Sequence, residues 1–304
     1  MHKIYFIFIV ILTGVSCQNK TIRFHGETAY KYLEKQCELG PRNPGSQGHK
    51  QAKQMFIDFF QKLSDTSYTQ KFTKYIPKTD DTLKLTNIIS TFAPKKGNPI
   101  LLGTHWDTRP RAERDPNPSK RNQAILGAND GASGVAVLMH LAELIQKIKL
   151  DRTIQIVLFD GEDYGFHGQN KYWALGSKYF VQHMPTNQPR EVIIVDMIGD
   201  AQLSLPMERY SYNNSKALTK KLWKIADSKG YSQFKYELGT KIYDDHVPFI
   251  KAGIPAVDII DFHYPNRYTN YWHTTQDTPD KCSPKSLEVV GQVLLEYITK
   301  GQNE

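Results

Sequence analysis

Ile154-Gln155-Ile156-Val157-Leu158-Phe159-Asp160-Gly161-Glu162-Asp163 is the stretch on which the fold turns. Six residues dominated by branched and aromatic side chains read as a strand buried on both faces, and three carboxylates follow within four positions. The same grammar recurs elsewhere. Ile100-Leu101-Leu102-Gly103 runs into His105 and Asp107, Val192–Val195 runs into Asp196, and Ala256–Ile260 leads through a loop to His273. Helical patterns separate these runs: an apolar-striped helix over 135–148, then helices near 174–184 and 215–228, with Gly230 as a stop signal. Buried strands alternating with helices predict a single α/β domain. Its central sheet is expected to be mixed, mostly parallel and twisted, with helices on both faces. In such open sheets the chemistry gathers beyond the carboxyl ends of the strands, where these polar residues stand.

Working outward, a helix is expected from near His25. A second, capped by Ser46, carries Ala52, Met55, Phe56, Phe59, Phe60 and Leu63 at spacings of three and four. Residues 67–75 and 85–92 read as strands, and Ser286 to Thr299 as the last helix. At 304 residues, with 39% hydrophobic and 12% aromatic content, the chain can bury a substantial core and is not a disordered one. The net charge of +8 is spread along the chain without a dense basic run, which argues against a nucleic-acid partner. It is compatible with weak steering of acidic peptides.

Lys3 and the apolar run Ile4 to Leu12 have the form of a signal-peptide core too short to span a bilayer. Thr13-Gly14-Val15-Ser16-Cys17 then resembles a lipoprotein signal, so residues 1–16 are expected to be removed and Cys17 lipidated. An ordinary secretory signal is the alternative. On either reading the protein works outside the cytoplasm, as a periplasmic or cell-envelope lipoprotein or a secreted enzyme. Residues 17–24 form a tether and 25–304 the catalytic domain. The only expected membrane contact is the lipid, and a monomer is expected. Cys37 and Cys282 could be bridged or remain thiols; with no CxxC pair, a thiolate zinc site is not expected.

Two histidines and several carboxylates converging from separate strands suit zinc without cysteine. Asp130 joins them from the turn Gly127-Ala128-Asn129-Asp130-Gly131, which runs into a helix. Each residue alone has a plainer reading, as a turn former or helix cap, and Asp130 could cap the helix that follows it.

Six segments, in order, resemble one family: Gly103-Thr104-His105-Trp106-Asp107-Thr108-Arg109-Pro110, Gly127 to Gly134, Phe159 to Asp163, Asp196-Met197-Ile198-Gly199, Asp244-Asp245-His246-Val247-Pro248-Phe249 and Trp272-His273-Thr274. They are similar to the zinc-dependent glutaminyl-peptide cyclotransferases of animals and bacteria, which share a fold with zinc aminopeptidases. The resemblance spans residue 25 to the C-terminus. It implies one zinc ion held by Asp130, Asp163 and His273, Glu162 as the catalytic acid/base, and Asp196 and Asp244 in the proton-shuttling network. Trp272, Trp173 and Ile260 would line the substrate pocket, and peptide or protein N-termini would be the substrate. This chain departs from the family in having Asp163 where Glu is common. Its nearest pocket tryptophan, Trp173, comes later than in the animal enzymes. In the related aminopeptidases, residues matching His105 and Asp196 hold a second zinc with Asp130 bridging. A two-metal aminopeptidase is therefore the competing expectation, and His105 is either a metal ligand or a hydrogen-bonding group. A binding protein without catalysis is the third, opposed by the intact Glu162.

Overall fold

Along each central strand, neighbouring residues point to opposite faces, and both faces are apolar. Ile88, Leu102, Ile156, Ile193 and Val257 enter one buried cluster, while Ile89, Leu101, Val157, Ile194 and Ala256 enter another on the opposite side. These strands therefore need helices above and below them. A computed structural model of the chain, describing residues 22–95, 97–184 and 187–300, shows that arrangement.

The chain begins with α1 (Gly26–Glu38) and α2 (Gln47–Leu63), then the long hairpin β1 (Thr66–Ile76) and β2 (Asp81–Phe92). Next come β3 (Ile100–His105), α3 (Ala132–Ile145), β4 (Ile154–Phe159), α4 (Leu175–Gln182) and β5 (Glu191–Asp196). The last part holds β6 (Leu205–Met207), α5 (Arg209–Asn214), α6 (Lys216–Ser228), β7 (Phe234–Leu238), α7 (His246–Lys251), β8 (Ala256–Ile260) and α8 (Pro284–Lys300). The six-stranded sheet has the order β1-β2-β4-β3-β5-β8. β4, β3, β5 and β8 pair in parallel, while β2 joins β4 antiparallel and carries β1 at the edge. Helices α1, α2, α3, α6 and α8 cover one face and α4 and α7 the other.

Local signals explain the element ends. Ser46 Oγ accepts the amide of His49 and starts α2. Gly230, at φ +71°, ends α6, with the amide of Tyr231 bonded back to Ala226. The helix expected over 135–148 starts earlier, at Ala132, and stops at Ile145. The small sheet of β6 and β7, and the short helices α5 and α7, have no counterpart in the expected pattern. Cys37 and Cys282 are free buried thiols, so the bridged alternative is excluded. No helix among the described residues is long and apolar enough to cross a membrane. The signal segment, Cys17 and most of the tether lie outside the described residues.

Candidate active site

The carboxyl ends of β3, β4, β5 and β8 lie along one edge, and six side chains meet there. His105 ends β3, Glu162 and Asp163 follow β4, and Asp196 ends β5. Asp130 comes from the turn before α3, and His273 from the segment after β8. Asp130 does not cap α3: the N-cap is Gly131, and no side chain caps that end. Gly131 sits at φ +99°, and a Cβ there would lie 2.7 Å from the Asp107 carbonyl oxygen. Glycine thus lets the turn swing Asp130 towards the sheet edge.

Supporting residues hold this geometry. Asp277 accepts the amides of Asn129 (2.7 Å) and Asp130 (3.1 Å). Asp107 accepts those of Glu162 (3.0 Å) and Asp163 (3.3 Å). Met197 (φ 49°), Ala174 (φ 52°) and His273 (φ 57°) adopt left-handed backbone, each beside or within the site. Such conformations cost about 1–3 kcal/mol apiece and persist only where surrounding contacts impose them.

The titratable groups fall into three linked sets. In the first, His273 Nε2 lies 3.2 Å from Asp163 Oδ1 and 3.8 Å from Asp130 Oδ2. Glu113 Oε1 lies 2.9 Å from His273 Nδ1 and is also gripped by Arg109, whose guanidinium reaches Asp163 Oδ1 at 3.2 Å. Burial raises Asp163, but His273 and Arg109 outweigh it and hold the carboxyl below its ordinary range. Burial and the Asp163 charge push Asp130 well up. In the second set, His105 Nε2 lies 3.0 Å from Asp196 Oδ1 and 3.2 Å from Asp130 Oδ1. Burial lowers His105, yet Asp196, Asp107 and Asp130 hold it well above its usual value. The third set lies deeper. Asp244, His246 and Asp258 are clustered, with Glu208 3.1 Å from His246 Nε2. Asp244 is raised to about 6 by burial and by Asp196.

Unpartnered buried atoms mark the first and third sets, in the third at Asp244, His246 and Asp258, and separate both from the second. Asp130 Oδ2, Asp163 Oδ2 and His273 Nε2 are buried without a hydrogen-bond partner, and they belong to one group able to hold a cation. Two carboxylates and an imidazole form a donor set that fits zinc. His105 and Asp196 instead satisfy one another.

Above these residues is a cleft of about 310 Å³, with Asp130, Glu162, Asp163, Asp196 and Asp244 at its base. Its walls are Trp173, Met197, Ile242, Tyr243, Ile260, Phe262 and Trp272. Trp173 stacks parallel to the His273 ring at 5.9 Å, and Trp272 packs against the same ring at 3.8 Å. Glu162 faces the cleft; burial and the Asp244 charge raise its carboxyl well above the usual range. A wider groove of about 780 Å³ shares Ile242, Ile260 and Phe262 with the cleft.

The structure thus brings together Glu162, Asp196, Asp244, Asp130, Asp163, His273, His105, Trp173, Trp272 and Ile260. Asp160, another polar residue past β4, turns away to bond His49 at 3.0 Å and the amide of Thr86. Glu113, Asp277, Glu208 and Asp258 were not singled out from the sequence. Only Asp258 carried a signal, being a charge inside the apolar run Ala256–Ile260.

A family model described as peptidase family M28 matches residues 87–298. The chain belongs to peptidase family M28. The match runs from β2 to α8, so it includes every residue of the site. Within this breadth, the chain is 24% identical to the glutaminyl-peptide cyclotransferase of Bos taurus over 296 residues, covering 84% of this chain and 78% of that protein. Its structure superposes on Bacteroides thetaiotaomicron glutaminyl cyclase bound to N-acetylhistamine with a TM-score of 0.87 at 32% identity, covering 93% and 99% of the two chains. It also superposes on a Zn-dependent exopeptidase from Parabacteroides distasonis with a TM-score of 0.86 at 30% identity, covering 91% and 98%. The M28 fold therefore accompanies proteins described by two different reactions.

Proposed function

We propose that the chain is a zinc-dependent glutaminyl-peptide cyclotransferase, converting N-terminal glutamine, and more slowly glutamate, to pyroglutamate. The observation that carries this reading is the pattern of open ligand atoms. Asp130, Asp163 and His273 offer one set for one ion, while His105 and Asp196 are engaged with each other. Relatives described as glutaminyl cyclases support it.

Zinc held by Asp130, Asp163 and His273 supplies Lewis acidity towards the side-chain carbonyl of the substrate. The aromatic walls enclose the first residue and exclude water, which favours ring closure over hydrolysis. The α-amine attacks the γ-carbon, a carbon–nitrogen bond closes the five-membered lactam, and the bond to the amide nitrogen breaks. Glu162 takes the proton lost by the amine and returns it to the departing nitrogen, which leaves as ammonia; no water is consumed. The raised affinity of Glu162 for a proton suits this two-way transfer. Asp244, which neighbours Glu162 electrostatically, tunes that affinity.

The deciding assay gives the purified chain one Gln-first and one Leu-first peptide and reads products by mass spectrometry. Loss of ammonia from the Gln peptide, abolished by a zinc chelator, is expected; release of leucine without ring closure would sink the cyclase. Glu162→Gln is expected to lower turnover by at least about 100-fold with zinc still bound. The second reading is a two-metal aminopeptidase. It is favoured by Asp130 standing in both ligand groups and by the exopeptidase neighbour. Metal analysis separates the two, with one zinc per chain expected.

The enzyme is further proposed to act outside the cytoplasm as a monomer anchored by lipid on Cys17. Labelled fatty-acid incorporation lost in Cys17→Ser tests the anchor.

A further inference from the structure

The aromatic walls of the cleft carry cations. Lys178 Nζ lies 5.1 Å and Lys251 Nζ 5.0 Å from the centroid of the Tyr243 ring. The Arg114 guanidinium lies 4.2 Å from that of Trp272. Lys178 is half-buried and committed, donating to the carbonyl of Trp173 at 2.6 Å. Lys251 and Arg114 are different: both are exposed, and neither has a carboxylate within ion-pair distance among the described residues. Arg267, also exposed and without an ion pair, lines the groove that continues from the cleft. The opposing exposed carboxylate in that groove is Glu237. Glu113, near Arg114 in sequence, is already bound to Arg109 and His273.

The site is therefore polarised, with carboxylates at its base and uncommitted cations resting on the aromatic rings of its mouth. Exposed cations over ring faces are attracted by the ring quadrupole, and their field reaches about one Debye length, roughly 10 Å at moderate salt. A peptide entering amine-first puts its first residue at the acidic base and its next residues at the cationic rim. We infer that Lys251 and Arg114 select peptides with acidic side chains at the positions following the first residue. This rests on the proposed reading for the direction in which the peptide enters.

The test separates binding from chemistry. Binding to Glu162→Gln is measured by titration with Gln-Asp-Glu-Ala, Gln-Ala-Ala-Ala and Gln-Lys-Lys-Ala, while the unmodified chain is assayed for cyclisation of the same peptides. At about 20 mM salt the acidic peptide is expected to bind about tenfold more tightly than the basic one, a difference that shrinks towards unity at about 0.5 M. The double variant Lys251→Glu/Arg114→Glu is expected to reverse the order, and Lys251→Arg/Arg114→Lys to keep it. Equal binding of the three peptides at low salt, or an order unmoved by the double reversal, overturns the proposal. Cyclisation without a charge order removes the rim and keeps the cyclase. A charge order in binding without cyclisation does the opposite.

Discussion

Glu113 illustrates how a residue without a motif shapes the candidate centre. Its carboxylate receives His273 Nδ1 at 2.9 Å and is clamped by Arg109, fixing the imidazole so that Nε2 faces Asp163 and Asp130. Second partners of this kind orient a metal-binding histidine and raise its basicity. Glu113→Gln is expected to weaken zinc binding by about 10–100-fold, measured by chelator competition, while the unfolding temperature of the zinc-free chain changes little. Asp261 offers a separate test away from the ligands. It is buried beyond β8, accepts the amide of Ser204 at 2.8 Å, and burial lifts it to about 7. Since its folded pKa lies above the unfolded one, its protonated form favours the folded state. That contribution is complete below about pH 4 and is lost as pH rises towards 7. Asp261→Asn is expected to flatten the fall in unfolding temperature across that window in zinc-free protein; an unchanged slope would remove Asp261 from the account. Legibility at this scale followed chain geometry. His105, Glu162, Asp163 and Asp196 stand at strand ends, where pattern alone draws the eye. Glu113 and Asp277 act on residues more than a hundred positions away, so nothing near them in the chain marks their part.

At the scale of elements, α3 is the piece with least room. It packs against the sheet at Gly134, where an added Cβ would lie 2.2 Å from Thr104 Oγ1 and 2.7 Å from the Val195 carbonyl oxygen. The backbone contact cannot rotate away, so Gly134→Ala must lift the helix. Overpacking of this kind costs about 1–3 kcal/mol, and urea unfolding is expected to show a loss at or above the top of that range. The same helix follows Asp130, so zinc binding should weaken in parallel. β3, β4, β5 and β8 were readable because burial on both faces leaves near-continuous apolar runs. β7 was not: only Phe234 of its five residues is buried, and its partner β6 has three residues. α7 hides for another reason, since its six residues contain Pro248, which ordinary helix reading treats as a breaker.

For the molecule as a whole, the open ligand atoms predict a linkage between metal and fold. An ion that binds the folded chain alone, at a concentration of about a thousand times its dissociation constant, adds about 4 kcal/mol of stability. For a chain of this size that is on the order of 10 °C in unfolding temperature. Scanning calorimetry with and without zinc should show this rise, and Asp163→Asn should abolish most of it. A rise that survives in Asp163→Asn would place the ion elsewhere.

The segment after β8 contributes both His273 and Asp277, and Asp277 pins the turn that carries Asp130. That one segment thus brings one candidate ligand and the clamp for another. Displacing that one stretch would therefore disturb two of the three candidate ligands together.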